Sequence, residues 1–346
     1  MTSELVLVTG VNGFLGAHVV DQLVHKGYRV RGTVRGARLA ANQEIYQKIY
    51  GSVVEIVAID DIIKGDFTAT LQGVDAVIHV ASPLAGRGDA ASTVDSAVLG
   101  STNILRQAIH AGIKRFSIAS STAATMDFTK GVNWTRLTED DYNPATREQA
   151  LASNDPMYIY CASKALAEKA IGEIGAAHPD VSIAGINPTY FIGPFAPAAI
   201  IPPGDINALS TNIFIYNALL PDSKSTTFNI GFIDVRDVAE GLIAGINTPG
   251  KTRNLFTGEW FELRDAVEYI GTLHPELKTP TLALSGQTDS IVVYEPALKR
   301  LGLTRRPWKD SVREAAEAVL QIEKDWIAQG VDVEAEGGLR KNVWRV

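Results

Sequence analysis

The chain has 346 residues, 46% of them hydrophobic and 21% charged, enough to bury a substantial core as one large domain or two interleaved ones. A net charge of -7 argues against nucleic acid as a partner, since phosphate binding needs a basic face, and no apolar run reaches the roughly 18 residues of a transmembrane helix. Cys161 is the sole cysteine, which excludes an intrachain disulfide and a multi-cysteine metal cluster.

The opening MTSELVLVTG has neither a basic leader nor a cleavage site, so it reads as a first strand. LVLV (5–8), RVRGTV (29–34), VVEIVA (53–58), AVIHVA (76–81) and RFSIAS (115–120) are β-branched runs. Helical patterns lie at 14–26, about 93–111 and, after the fifth strand, 156–177. SIAGINP (182–188) supplies the next strand. Strands alternating with helices of this length predict an α/β fold, a doubly wound parallel (Rossmann) sheet with a smaller C-terminal α+β lobe. The proline-rich stretch after 188 reads as part of a substrate-covering lobe. The expected division is a dinucleotide-binding domain at 1–187, rejoined by 226–257. A substrate-binding lobe takes 188–225 and 258–330, and 331–346 forms a tail.

Directly after the first strand, VTGVNGFLG sets Gly10, Gly13 and Gly16 three apart. A tight turn favours a residue that tolerates positive φ, and close approach to a pyrophosphate leaves no room for a Cβ. The helix beginning near Phe14 and Leu15 would aim its free N–H groups at that pyrophosphate. A site that binds NAD usually places an acid at the end of the second strand to bind the ribose 2′-hydroxyl. Here that strand ends in Arg35, with Arg38 close behind and no acid nearby, which fits a 2′-phosphate and predicts NADPH. Asp60 or Asp61, ending the third strand, can accept from the adenine amino group while Ile62 packs on the ring. Ala81 and Ser82, ending the fourth, are small enough for close cofactor approach.

In DPMYIYCASKALAEKAIGEI, Tyr160 and Lys164 are four apart and lie above one another on a helix, whereas Tyr158 has Ala162 at its own i+4 position. Phasing by apolar residues puts Ile159, Ala162, Leu166, Ala170 and Ile174 on the core-facing stripe. A free phenol titrates at about 10; a neighbouring ammonium favours phenolate and lowers that value, so Tyr160 is the candidate proton donor. Ser120, Ser121 and Thr122 are hydroxyls at the carboxyl end of the fifth strand, where ligands lie in open α/β sheets. One of them would donate to a developing alkoxide. Cys161 and His79 read as a packing residue and a satisfied strand histidine.

Together the segments VTGVNGFLGAHVVDQLVHKGY, RGTVR, HVASP, SSTAA, NPAT, YCASK, INPTYFIGP and FIDVRDVA resemble the extended short-chain dehydrogenase/reductase family. The resemblance runs from residue 4 to about 325. It points to the branch of dihydroflavonol reductase, cinnamoyl-CoA reductase and the fungal NADPH-dependent aldehyde and ketone reductases of the methylglyoxal type. It implies Ser121, Tyr160 and Lys164 as the catalytic set and Arg35 as the 2′-phosphate ligand. Arg38 stands nearest to a second basic residue of the family. The resemblance further implies Asp61 and Ile62 at the adenine, Pro188 at the nicotinamide carboxamide, and a substrate pocket at Leu84, Thr122, Met157 and Tyr190.

The expected function is NADPH-dependent reduction of a small aldehyde or ketone by a cytoplasmic monomer or homodimer, with no metal, nucleic-acid or membrane partner. An NAD-dependent nucleotide-sugar epimerase or dehydratase is one alternative. Arg35 argues against it, as does Thr122-Ala123 where such enzymes carry an acidic pair. A non-catalytic dinucleotide sensor is the other, and the retained Tyr160 and Lys164 argue against that.

Overall fold

The structure is a computed structural model that describes residues 4–82, 88–127, 136–221, 231–282, 292–293, 296–335 and 338–341. In chain order, β1 (Leu5–Thr9), α1 (Phe14–His25), β2 (Arg29–Val34), α2 (Leu39–Tyr50), β3 (Val54–Ala58) and β4 (Ala76–His79) form the first half of a doubly wound sheet. Next come α3 (Ala90–His110), β5 (Arg115–Ala119), the short β6 (Arg136–Leu137), α4 (Arg147–Ala152), α5 (Pro156–Ala177) and β7 (Ser182–Pro188). The remainder is β8 (Phe191–Ile192), α6 (Asn212–Leu219), β9 (Ile233–Asp234), α7 (Val235–Gly245), β10 (Lys251–Phe256), α8 (Leu263–Leu273), β11 (Val292–Val293), α9 (Ala297–Leu301) and α10 (Trp308–Ala328).

Seven strands pair in the order β10-β7-β5-β4-β1-β2-β3, every pair parallel. β1 shows why LVLV is apolar throughout. Val6 and Val8 point into a core shared with α1 and α7, and Leu5 and Leu7 into one shared with α3 and α5. Both faces are covered, so no position is left for a polar residue. Beyond β7 the chain builds a lobe in which α6, α8 and α10 bury Ile215, Leu219, Val267, Ile270, Val312 and Ala316. The chain then returns through α7 and β10 to the main sheet, where Lys251–Phe256 pairs with Ile183–Pro188.

The FIDVRDVA segment makes that return rigid. Asp234 caps α7 by accepting from the Arg236 N–H at 2.8 Å and also accepts the Ser311 hydroxyl of α10 at 2.8 Å. Arg236 bridges onward to Glu314 at 2.7 Å.

Three sequence expectations need correction. α2 had no predicted counterpart: Leu39, Ile45, Tyr46 and Tyr50 pack on the core, but polar residues are interleaved with them and only Asn42 and Tyr46 are fully buried. On α5, Ala162 and Ile174 are buried, but Ile159, Leu166 and Ala170 are only half-buried. The helix is wedged between α3 and the sheet, so it buries two sides, one of them through Ala167, Ile171 and Gly175. The expected tail docks where it is described: Val333 and Leu339 are buried with Val319 and Trp326, and Arg340 pairs with Glu323 at 2.5 Å.

One buried polar cluster pins β1 to β4. The Thr9 hydroxyl accepts from the N–H groups of Val80 (3.1 Å) and Ala81 (3.2 Å) and lies 2.8 Å from His79 Nδ1. With two N–H groups donating to it, Thr9 gives its own hydrogen to Nδ1, and Nε2–H of His79 donates to the Ser101 hydroxyl at 3.2 Å. Burial, with a smaller contribution from the Lys164 charge, lowers the His79 pKa to about 4. The unfolded chain, with His79 near 6.5, takes up a proton in this interval that the native chain refuses. The stability contributed by neutral His79 is therefore complete above about pH 6.5 and is lost as pH falls toward 4. Urea midpoints of the parent should fall more steeply between about pH 7 and pH 5 than those of His79→Gln. Parallel profiles would rule out His79 as a source of acid sensitivity.

Candidate active site

All the strand ends that matter lie on one edge of the sheet. At the end of β1, Gly10 has φ +72° and donates to the Thr33 carbonyl at 3.1 Å, and Gly13 donates back to Gly10 at 3.1 Å. A Cβ at Gly16 would sit 2.2 Å from the Gly10 oxygen, so the third glycine is required by contact of helix and turn. A Cβ at Gly13 would meet protein only at 3.4 Å, which leaves the space above it open. Gly13 is also the N-cap of α1 and supplies no side-chain hydrogen bond, so the N–H groups at Phe14 and Leu15 lack a side-chain cap. Behind the turn, the Tyr46 hydroxyl of α2 donates to the Val11 carbonyl at 2.7 Å. The turn fits a pyrophosphate held by backbone amides.

Arg35 follows β2 directly, and both it and Arg38 are solvent-exposed. Asp60, exposed at the end of β3, accepts from the Gly36 N–H at 2.7 Å and so fixes the bend that presents Arg35. Asp61 accepts from the N–H groups of Ile63 (2.8 Å) and Lys64 (3.2 Å), closing the next turn with its side chain. Ile62 packs beside Gly100 of α3, where a Cβ would come within 2.9 Å of it. Asn42 turns inward and donates to the Arg38 carbonyl at 2.7 Å.

Asp155 caps α5 by accepting from the N–H groups of Met157 (2.8 Å) and Tyr158 (3.3 Å), with Pro156 in the first turn where its missing N–H costs nothing. That start sets the phase that brings Tyr160 and Lys164 to the strand ends. The Lys164 Nζ donates to the Ser82 hydroxyl at 2.8 Å and lies 5.6 Å from the centre of the Tyr160 ring. Tyr160 is half-buried and hydrogen-bonded to Ser121. Ser121 itself caps the turn Thr122–Thr125 by accepting from the Ala123 N–H at 3.2 Å. The catalytic set expected from the sequence thus comes together.

Its electrostatics differ from the expectation of a phenol lowered by the ammonium. Burial pushes the Tyr160 pKa up, and the Ser121 hydrogen bond only partly offsets this. The reason is that Lys164 turns its charge toward Ser82, while the phenol lies among Ala123, Met126, Met157 and Cys161. Tyr160 is therefore a neutral phenol at rest. Lys164 is shifted the other way, down to about 8, because burial disfavours its charge while Glu168 partly restores it.

The remaining expected positions divide. Met157 and Tyr190 lie beside Tyr160 and Cys161; Tyr190 is pushed up to about 12 by burial and meets Phe214 edge-on at 5.3 Å. Thr122 is buried and donates its hydroxyl to the Pro188 carbonyl at 3.3 Å, which ties the β5 end to the β7 end. Leu84 lies outside the described residues. Cys161 is buried with its thiol pushed up to about 12 by burial, consistent with packing.

Sequence reasoning missed Glu168, Asn187 and Arg253. Glu168 accepts from the Ser120 hydroxyl, from the Asn187 amide and from the Arg253 Nε. The available signal was spacing: Tyr160, Lys164 and Glu168 repeat every four residues along one face of α5. Next to them a cavity of about 200 Å³ is bordered by Ser82, Ser101, Ser120, Lys164, Glu168 and Arg253.

Known proteins resemble this chain over most of its length. A Schizosaccharomyces pombe protein described as an uncharacterized oxidoreductase is 38% identical over 69% of this chain and 72% of its own length. The NADPH-dependent methylglyoxal reductase of Saccharomyces cerevisiae is 28% identical over 92% of this chain and 98% of its own. The crystal structure of Gre2 from Candida albicans in complex with NADPH superposes with a TM-score of 0.81 at 26% identity, covering 92% of this chain and 99% of that one. Residues 6–255 match the NAD dependent epimerase/dehydratase family, from the first strand of the sheet to its last. With the glycine turn, the Tyr–Lys helix and this match in agreement, the chain belongs to that family.

Proposed function

We propose that the protein is an NADPH-dependent carbonyl reductase that converts a small aldehyde or ketone to its alcohol. The observation that carries this reading is the Tyr160–Ser121 hydrogen bond at the end of β5, with Lys164 one helical turn behind. The Gly10–Gly16 turn, Arg35, Asp61, Ile62, Ala81, Ser82 and Pro188 would hold the cofactor, with Arg38 as a second basic contact. NADPH would supply the hydride. Tyr160 donates its phenolic proton to the carbonyl oxygen as negative charge develops there. Ser121 donates a hydrogen bond to the same oxygen. The Lys164 ammonium favours the phenolate that Tyr160 leaves behind.

The residues at the site also favour a reductase over an epimerase. Arg35 follows β2 directly, where a ribose-binding acid would stand, and the NADPH-dependent relative from Saccharomyces cerevisiae lends the same preference. Leu84, Thr122, Met157 and Tyr190 are the proposed substrate positions, with Tyr190 opening onto the ring cluster of Phe214 and Phe232. An apolar wall of this kind selects small carbonyls by shape. Residues 1–187 with 226–257 act as the dinucleotide-binding domain, and 188–225 with 258–330 as the substrate lobe. The single cysteine fits a reducing, cytoplasmic setting, and we take the protein as a monomer or homodimer.

Absorbance of reduced nicotinamide, followed with a panel of aldehydes, α-diketones and α-ketoesters, tests the reading. Carbonyl-dependent loss of NADPH, with NADH much slower, is expected. Tight cofactor binding with no turnover on any carbonyl would overturn it and direct attention to nucleotide sugars.

Tyr160→Phe should bind NADPH as the parent does yet lose at least about a hundredfold in kcat. Near-full turnover would remove Tyr160 as the donor. Arg35→Ala should raise KM for NADPH by roughly ten- to a hundredfold, the worth of a charge-assisted hydrogen bond, with little change for NADH. An equal loss with both cofactors would mean that Arg35 does not read the 2′-phosphate.

A further inference from the structure

Glu168 occupies the third rung of the ladder that begins with Tyr160 and Lys164, and its side chain is only 12% exposed. Its partners come from three different strands. Ser120, at the end of β5, donates its hydroxyl to Oε1. Asn187, in β7 beside Pro188, donates its amide to the same oxygen. Arg253, in β10, donates Nε to Oε2 at 2.8 Å. Asn187 also donates to the Ser121 carbonyl at 3.1 Å, so the network reaches the backbone of the catalytic serine. Arg253 is held in turn, since its Nη1 donates to the carbonyls of Glu139 (2.9 Å) and Asp141, and its guanidinium lies 4.0 Å from the centre of the Tyr142 ring. None of these contacts is needed to form the helix or the strands, whose backbone groups are already paired.

We propose that Glu168 is a positioning residue for the reaction: its carboxylate sustains the charge on Lys164 and braces the Ser121 backbone from behind. The inference rests on the carbonyl-reductase reading of the same site. Lys164 is buried in a setting where an unpaired ammonium is costly. The titratable groups around it and its neighbouring cavity are Tyr160 on its own helix, His79 of β4, Arg253 and Lys251 of β10, and Tyr142 of the loop before α4. Tyr160 and His79 are neutral at pH 7, and Arg253 and Lys251 are cations. Glu168 is the carboxylate of this set among the described residues, and it acts to raise the Lys164 pKa against burial. Arg253 pairs with the same carboxylate, so the three charged groups form a chain from β10 to Tyr160.

Glu168→Gln keeps the shape and one acceptor oxygen but removes the charge. In cofactor-free protein carrying 13C-labelled lysine side chains, the Lys164 titration midpoint should lie below the ordinary lysine value in the parent and about one pH unit lower still in Glu168→Gln. The alkaline limb of kcat should move down with it, while KM for the carbonyl stays within about twofold. Glu168→Asp, which retains the charge, should restore most of the parent midpoint. A parent-like Lys164 midpoint and alkaline limb in Glu168→Gln, with only a lower melting temperature, would reduce Glu168 to a structural residue and overturn the proposal. If Glu168→Gln does not fold, Arg253→Met serves instead, because it removes the competing cation from the same carboxylate. Its Lys164 midpoint should rise, and an unmoved midpoint overturns the proposal equally. Absence of carbonyl-dependent NADPH consumption in the parent would instead refute the reductase reading, and the titration of Lys164 separates the two failures.

Discussion

Burying the Lys164 ammonium beside a neutral tyrosine is unfavourable by itself, and much of the surrounding architecture can be understood as the response to it. The residue is 7% exposed, and among the described residues its direct hydrogen bond is to Ser82 at the end of β4. Its negative neighbour, Glu168, is one turn along α5 and is itself anchored to β5, β7 and β10. A charge in low-dielectric surroundings is tolerated when partners are fixed in advance, and here the partners are fixed by the sheet. Moving one of these strand ends would disturb the charge on Lys164 and the backbone of Ser121 together.

The same edge of the sheet holds the glycine turn, and the two halves are joined by a second buried cluster. Thr9 and His79 lock the ends of β1 and β4, so Gly10 and Ala81 approach until a Cβ on Gly10 would sit 3.0 Å from the Ala81 backbone. That close approach leaves an open groove above Gly13 and places Ser82 within reach of Lys164. His79 is kept neutral by its burial and by the nearby Lys164 charge, so the glycine turn and the Tyr160–Lys164 pair share one electrostatic setting.

Much of this was legible in the chain because the signals were local. The strand at 5–8 stands out because it is buried on both faces and apolar throughout, and those at 29–34, 115–120 and 182–188 because β-branched and aromatic residues are concentrated in short runs between helical segments. Gly10, Gly13 and Gly16 stand out because a side chain at the third would overlap the first residue's carbonyl. Tyr160 and Lys164 stand out because a helix repeats nearly every four residues. What escaped notice had a weaker signature. α2 packs Leu39, Ile45, Tyr46 and Tyr50 on the core, but polar residues between them and a buried Asn42 dilute the stripe. The phase of α5 was misjudged because Ala167 and Gly175 pack against the sheet without registering as hydrophobic anchors. The last segment read as polar and glycine-rich, yet Val333, Leu339 and the Arg340–Glu323 pair seat it against α10.

By itself, the order of residues determined the parallel sheet, the dinucleotide turn with Arg35 after the second strand, and the Tyr160–Lys164 pair, because each depends on neighbours within a few positions along the chain. The tertiary structure alone decided that Tyr160 is neutral and Lys164 weakened, since burial depends on what folds around a group. It also decided that Glu168 faces Ser120, Asn187 and Arg253, residues 48, 19 and 85 positions away in the chain. Contacts of that separation arise only when the sheet sets strands from distant segments side by side, and no local pattern encodes which carboxylate they will share.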